Sequence, residues 1–124
     1  MSFLFLEAYV MLIRFDLDWA LGSFASLYDK VRRCPTRPKT RPPEAAERIC
    51  SALDRASIWY WKEVPCLQRS AAAACLLRRH GVEAHMIIGA QQLPFKAHAW
   101  VEVDGHVVND VSYIREMYSV LDRC

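Results

Sequence analysis

The chain has 124 residues, of which 53% are hydrophobic and 24% are charged, and its formal net charge is +2. This composition excludes a disordered chain, and the length predicts a single domain with one modest core. Because the positive and negative charges nearly balance, we expect no nucleic acid as a partner.

The N-terminal segment is strongly apolar, but it lacks the pattern of a membrane span or a secretory signal. Glu7 interrupts the apolar run, and Arg14 follows it. A transmembrane helix needs about 20 mostly apolar residues, and a signal peptide begins with positive charge and ends at a cleavage site of small residues. We therefore predict no transmembrane segment, and a first helix over residues 2–14 that packs on its own domain or on a partner. Contact of this helix with a membrane surface is the alternative.

Two further helices and a linker follow. A second helix is predicted over residues 18–33, because the Asp16-x-Asp18 pair can cap its start. Residues 35–43 form a proline-rich, basic linker inside the domain, since proline prevents regular structure. This linker is either a solvated loop or a contact surface for an acidic partner peptide. A third helix over residues 44–61 begins after two prolines and carries apolar residues at helical spacing.

The second half of the chain changes from helical to strand spacing. It predicts a helix over residues 66–80, three strands over 82–90, 97–103 and 107–110, and a last helix over 114–121. Helices followed by an antiparallel meander predict the α+β fold class. The predicted organisation is a pair of N-terminal helices (1–34), the linker (35–43) and a core (44–124).

The cysteines are odd in number and irregularly spaced: Cys34, Cys50, Cys66, Cys75 and Cys124. With no secretory signal before them, this pattern predicts a reducing compartment, the cytoplasm. The sequence has no Cys-x-x-Cys and no His-Glu-x-x-His. We therefore expect no metal site and no cofactor.

Cys66 is the cysteine whose position suits chemistry. It follows Pro65 and opens the fourth predicted helix. A helix N-terminus stabilises a thiolate, and its backbone N–H groups can bind a developing oxyanion. Cys75 falls on the opposite side of this helix, whereas the small Ser70 lies near the Cys66 stripe and allows close approach of another element. The alternative for Cys66 is a buried, unreactive thiol.

His98 and Asp110 are the candidate partners of Cys66. His98 can hold a thiolate as an ion pair and then protonate a leaving amine. Whether Asp110 faces His98 depends on the hairpin that follows. A three-residue loop over 103–105 pairs His98 with Asp110 and turns Asn109 to the other face, whereas a two-residue turn at 104–105 places Asp110 opposite the neighbouring Ala99.

Four motifs resemble those of one family: Cys66-Leu-Gln-Arg-Ser70, the following Leu-Leu-Arg-Arg-His-Gly81, Ile-Ile-Gly89, and His98-Ala-Trp-Val-Glu-Val-Asp-Gly105. Over residues 44–112 they are similar to the lasso-peptide leader peptidases, which belong to the transglutaminase-like (papain-like) superfamily of cysteine proteases. The resemblance implies a catalytic helix packed on a small antiparallel sheet. It also implies that Cys66 is the nucleophile, His98 the general base and acid, and Asp110 the group that orients the imidazole.

The same resemblance implies removal of a leader peptide from a ribosomally made precursor in the cytoplasm. The implied partners are the precursor peptide, a separate leader-recognition protein and an ATP-dependent lasso cyclase, as in the split form of this machinery. Two alternatives stay open. One is a transglutaminase-like acyl transferase that uses the same triad, and the other is a non-catalytic adaptor in peptide maturation.

Overall fold

Four helices precede a small sheet in the computed structural model, which describes residues 3–36, 44–92 and 94–124. The helices are α1 (Phe3–Leu21), α2 (Phe24–Arg33), α3 (Glu44–Trp59) and α4 (Cys66–Arg79). The later elements are β1 (His85–Gln92), β2 (Phe95–Val103), β3 (His106–Val107), α5 (Ile114–Met117) and β4 (Ser119–Arg123). The predicted α+β fold class is confirmed. Of the predicted linker, residues 37–43 lie outside the described residues.

The centre of the domain is α4, which α1, α2 and α3 contact and which also packs on β1 and β2. Nearly all of its residues after the first turn are buried. Four of them form the alanine run 71–74. Alanine has no side chain beyond Cβ, so several neighbouring backbones can approach the helix at once. The composition of α4 therefore allows it to be enclosed by helices and sheet together.

The N-terminal helix continues further than its sequence pattern indicates. Separate helices over 2–14 and 18–33 are predicted, but α1 runs without interruption to Leu21, so the predicted break at residues 16–18 is wrong. Helix α2 begins instead after Ser23, whose hydroxyl oxygen accepts a hydrogen bond from the Ser26 N–H at 3.3 Å. This is the ordinary role of serine as an N-cap.

The two aspartates that suggested a cap make tertiary contacts instead. Asp16 accepts a hydrogen bond from the Tyr60 hydroxyl at 3.0 Å and pairs with Lys62 at 2.7 Å. Asp18 lies 3.7 Å from the Lys30 ammonium of α2. These partners are far away in sequence or on another helix, so local spacing could not reveal them. The aspartates tie α1 to its neighbours rather than ending it.

The sheet has the strand order β3-β2-β1-β4, and each neighbouring pair is antiparallel. The last predicted helix over 114–121 is wrong beyond Met117, because the chain then joins the sheet as β4. Met86 and Cys124 exchange backbone hydrogen bonds of 3.0 and 2.9 Å along this pairing. The backbone groups at the edge of β1 need partners, and satisfying them outweighs the helical spacing of the segment.

The guanidinium of Arg78, at the C-terminal end of α4, joins several elements. It donates hydrogen bonds to the main-chain oxygens of Val31, Cys34, Ala84 and Cys124. Burial lowers the pKa of Arg78, and these carbonyl oxygens replace the water that the cation loses. One side chain thus connects α4 to the end of α2, to the segment before β1 and to the end of β4.

A disulfide between Cys34 and Cys75 links the C-terminal end of α2 to α4. The cysteine spacing predicts no pairing, although helical geometry places Cys75 on the side of α4 away from Cys66. The other three cysteines, Cys50, Cys66 and Cys124, are free thiols. The disulfide differs from what the prediction of a reducing compartment leads us to expect.

Thiol counting tests this pairing. Alkylation of the unfolded protein without a reductant should modify three cysteines, and alkylation after reduction should modify five, because one disulfide is present. Mass spectrometry of the intact protein measures both counts. Five modified cysteines without a reductant would show that Cys34 and Cys75 are separate thiols in the purified protein.

Gly89 in β1 leaves room for two aromatic residues. A Cβ atom at this position would lie 2.7 Å from the ring of Trp100 and 3.0 Å from the Cβ atom of Tyr118. Trp100 is completely buried, so its ring has no free space to move into. The close approach of these rings to the β1 backbone therefore requires glycine.

Gly89→Ala should lower the free energy of unfolding by about 1–3 kcal/mol, the usual cost of forcing extra volume into a packed core. Chemical denaturation followed by tryptophan fluorescence measures this change. Gly105→Asn is the matched control, because the space around Gly105 is open and asparagine tolerates its positive φ of 76°. Equal stability of Gly89→Ala and the wild type would contradict the close packing of both rings on Gly89.

Candidate active site

Cys66 is the first residue of α4, as predicted. The preceding residue, Pro65, is the N-cap and has extended backbone angles, but it makes no side-chain hydrogen bond to the first turn. The Cys66 side chain is partly exposed rather than buried. A partly exposed thiol at a helix N-terminus can react with a substrate from solvent, and the backbone N–H groups beside it can bind an anion.

His98 and Asp110 form a close pair. His98 Nε2 lies 2.6 Å from Asp110 Oδ2, and the two side chains are 22% and 17% exposed. The other carboxylate oxygen of Asp110 accepts a hydrogen bond from the Val111 N–H at 2.8 Å, which holds the carboxylate in place. The pair therefore fixes the imidazole plane and leaves Nδ1 as the ring nitrogen available to another partner.

The hairpin between β2 and β3 does not have the register that would pair His98 with Asp110 directly. Val103 pairs with His106, so the turn has two residues, and both Asp104 and Gly105 have positive φ. The prediction of a three-residue loop over 103–105, which would place His98 directly opposite Asp110, is thus wrong. Asp110 still reaches His98 because the main-chain ladder ends soon after β3. The Val108 N–H donates to the Val101 carbonyl, and beyond it the Asn109 side chain, not the main chain, bonds to Val101.

Asn109 holds the chain where it leaves the sheet. Its side-chain oxygen accepts a hydrogen bond from the Val101 N–H at 2.7 Å, and its amide donates to Ser70 Oγ at 3.1 Å. The Ser70 hydroxyl in turn donates to the Ala99 carbonyl at 3.0 Å. This chain of bonds connects α4, β2 and the segment after β3, so it fixes the helix against the strand that carries His98.

These bonds also define where Cys66 lies relative to His98. Ser70 follows Cys66 by one helical turn, about 6 Å along the axis, and its acceptor Ala99 is the residue after His98. Within the described residues, His98 and Asp110 are brought together, while no hydrogen bond joins the Cys66 thiol to His98. Catalytic hydrogen bonds are often long or absent before substrate binds.

Aromatic side chains cover the imidazole. The ring of Tyr118 stacks on that of His98, with 5.3 Å between centroids and 18° between planes, and the Trp100 ring lies 6.3 Å away. Trp100 donates its indole N–H to Glu102 at 2.9 Å, and Glu102 also pairs with Arg115 at 3.2 Å. These contacts exclude water from one side of His98.

Two of these residues were not found from the sequence. Tyr118 lies in the segment predicted as helix, so nothing placed it beside His98. The predicted three-residue loop turns Asn109 away from His98, and local spacing gives no sign of its bond to Ser70. Asparagine next to a strand end is a signal for capping of backbone groups, and that signal points to the contact with Val101.

Desolvation acts on both other free cysteines, the buried Cys50 and the partly exposed Cys124. It raises the pKa of Cys50 to about 12 and also raises the pKa of Cys124. Both groups are therefore neutral thiols near pH 7, and a thiol is a poor nucleophile. No group of three or more potential metal-binding side chains occurs within residues 3–36, 44–92 and 94–124.

Comparison with known proteins agrees with this architecture. A model of the transglutaminase-like superfamily matches residues 9–123, which is almost the whole chain. The protein therefore belongs to the transglutaminase-like superfamily. The chain is also similar to the microcin J25-processing protein McjB of Escherichia coli, with 41% identity over 56 residues, or 45% of this chain and 27% of McjB. No solved structure matches the chain.

The comparison with McjB is partial, since the match covers only about a quarter of that protein. None of the helices in the described part of the chain has the length and hydropathy that crossing a membrane requires.

Asn109→Ala should lower the free energy of unfolding by about 1–3 kcal/mol, because it leaves the Val101 N–H without a partner in a partly buried position. Denaturant titration measures the loss. Gln92→Ala, at an exposed position at the end of β1, is the control and should have almost no effect. If the two variants were equally stable, the Asn109 bonds would not be holding the site together.

Proposed function

We propose that this chain is a cysteine endopeptidase that removes the leader peptide from a lasso-peptide precursor. The observation that carries the proposal is the His98–Asp110 pair at 2.6 Å, on a strand tied to the helix that Cys66 begins. Membership of the transglutaminase-like superfamily and the partial similarity to McjB support it. An imidazole oriented by a carboxylate, next to a helix that starts with cysteine, is the arrangement that acyl transfer from a peptide requires.

In the proposed reaction, His98 takes the proton of Cys66, and the thiolate attacks the carbonyl carbon of the scissile bond. The oxyanion that forms accepts a hydrogen bond from the backbone N–H of Cys66. The imidazolium then donates its proton to the leaving amine as the C–N bond breaks, and a thioester between Cys66 and the leader remains. His98 next removes a proton from water, which attacks the thioester and releases the leader as a carboxylic acid.

The remaining residues support this chemistry without touching the substrate. Asp110 holds the imidazole so that Nδ1 can face the thiol, and it stabilises the imidazolium. Tyr118 covers the imidazole ring, which strengthens the interaction of His98 with Asp110 by keeping water away. Ser70 and Asn109 hold α4, which begins with Cys66, against β2, which carries His98.

The proposal includes a cytoplasmic location and three partners: the precursor peptide, a separate leader-recognition protein and an ATP-dependent lasso cyclase. The cyclase would use the amine that cleavage liberates. In the cytoplasm the Cys34–Cys75 disulfide would be exposed to reducing conditions. Cys66 must be reduced to act as a nucleophile, and it is not part of the disulfide.

Cleavage of a candidate precursor, in the presence of a candidate leader-recognition protein, tests the proposal. Mass spectrometry should detect two peptides whose masses sum to that of the precursor plus one water. Cys66→Ala should abolish cleavage but retain binding of the precursor. Asp110→Asn should slow cleavage by about 10⁴-fold, because the imidazole loses its orienting carboxylate.

Cys124→Ala is the matched control, since it removes another partly exposed free cysteine away from the start of α4, and it should keep full activity. Precursor maturation that survives Cys66→Ala would identify the chain as an adaptor and overturn the proposal. Adding an amine to the reaction distinguishes the endopeptidase from the acyl transferase, because an acyl transferase would produce a leader amide in place of the leader acid.

A further inference from the structure

Helix α1 is apolar on two opposite sides. One side is buried in the domain, at Ala8, Met11, Leu12 and Phe15. The other side faces solvent and consists of the outer stripe: Phe3, Leu6, Val10, Ile13, Leu17 and Ala20. The first five residues of the outer stripe are between 38% and 80% exposed. At 100° per residue the outer stripe and the buried residues point about 180° apart.

The spacing of the outer stripe indicates that a helix covers it. Its residues follow one another at alternating intervals of three and four over almost the whole helix. This is the a/d repeat of a two-helix coiled coil, in which apolar residues recur every 3.5 positions and interlock with a facing helix. An extended peptide, with a period of two, would not match it.

The charges beside the outer stripe disfavour a membrane surface as its partner. The acidic residues of α1, Glu7, Asp16 and Asp18, form ion pairs with basic residues of their own domain, and the exposed Arg14 is the one basic residue of the helix. Helices that lie on membranes carry lysine and arginine beside their apolar face, because the lipid surface is negative. A single arginine beside the outer stripe falls short of the basic cluster that such binding requires.

A second copy of α1 complements the outer stripe when it runs antiparallel. Leu6 then faces Leu17 of the other copy, Val10 faces Ile13, and the large ring of Phe3 meets the small Ala20. A parallel arrangement would instead place Phe3 against Phe3 and leave a void between the two alanines. An antiparallel pair is also closed by a two-fold axis, so that each contact occurs twice.

We propose that two copies of this chain dimerise through antiparallel packing of their outer stripes. Because each outer stripe lies opposite the residues that α1 buries in its own domain, the two domains sit on the outer sides of the helix pair. The inference does not depend on the proposed function.

Sedimentation equilibrium of the full chain tests this proposal. We expect a mass twice the 14.3 kDa of one chain. Val10→Glu and Leu17→Glu should each weaken the dimer by about 100-fold or more, because each buries an unpaired charge in the interface. Ile58→Glu on α3, at an exposed apolar position outside the outer stripe, is the control and should leave the dimer intact. Thermal unfolding confirms that each variant is folded.

A charge pair tests the orientation of the helices. Val10→Lys and Ile13→Glu should each disrupt the dimer, and the double variant should regain part of the affinity, because the two positions face each other only in the antiparallel arrangement. A wild-type mass of 14.3 kDa at all concentrations would overturn the proposal. Binding of that monomer to anionic vesicles, or to a leader-recognition protein in a manner sensitive to Val10→Glu, would identify the actual partner of the outer stripe.

Discussion

The burial of α4 on every side is the constraint on which the rest of the structure depends. Three helices and the sheet contact this one helix, and the alanine run 71–74 leaves room for them. A helix enclosed in this way cannot move along its axis without disturbing every neighbour. The packing of the whole domain therefore decides where Cys66, its first residue, lies relative to β2.

Polar side chains on α4 make this packing specific. Ser70 donates to the Ala99 carbonyl within the buried interface between α4 and β2, and Arg78 binds main-chain oxygens from several elements at the other end of the helix. Apolar contacts alone fix the alignment of α4 on the sheet less sharply, because the alanine run has few side-chain atoms that interlock with neighbours. A buried donor that must meet a particular carbonyl permits one alignment, since any other leaves it unpaired.

The candidate site depends on a short stretch where regular structure stops. With a two-residue turn, continued pairing of the chain with β2 would place Asp110 opposite Ala99 rather than His98. Once the chain leaves the ladder, Asn109 satisfies the Val101 N–H with its side chain, and the following Asp110 can turn toward the imidazole. The close pair of His98 and Asp110 thus results from the end of a strand rather than from pairing along it.

The sequence by itself determined the features that depend on neighbouring residues. It predicted the α+β class, the start of α4 at Cys66, and the alternation that puts His98 and Trp100 on one face of β2. It paired His98 with Asp110 only through the family resemblance or through a hairpin register that the structure does not adopt. Tertiary structure decided the uninterrupted α1, the fourth strand, the Cys34–Cys75 disulfide and the contacts of Asn109 and Tyr118. Caps and periodicity act over a few residues, whereas these features arise from groups that meet only after distant segments have packed together.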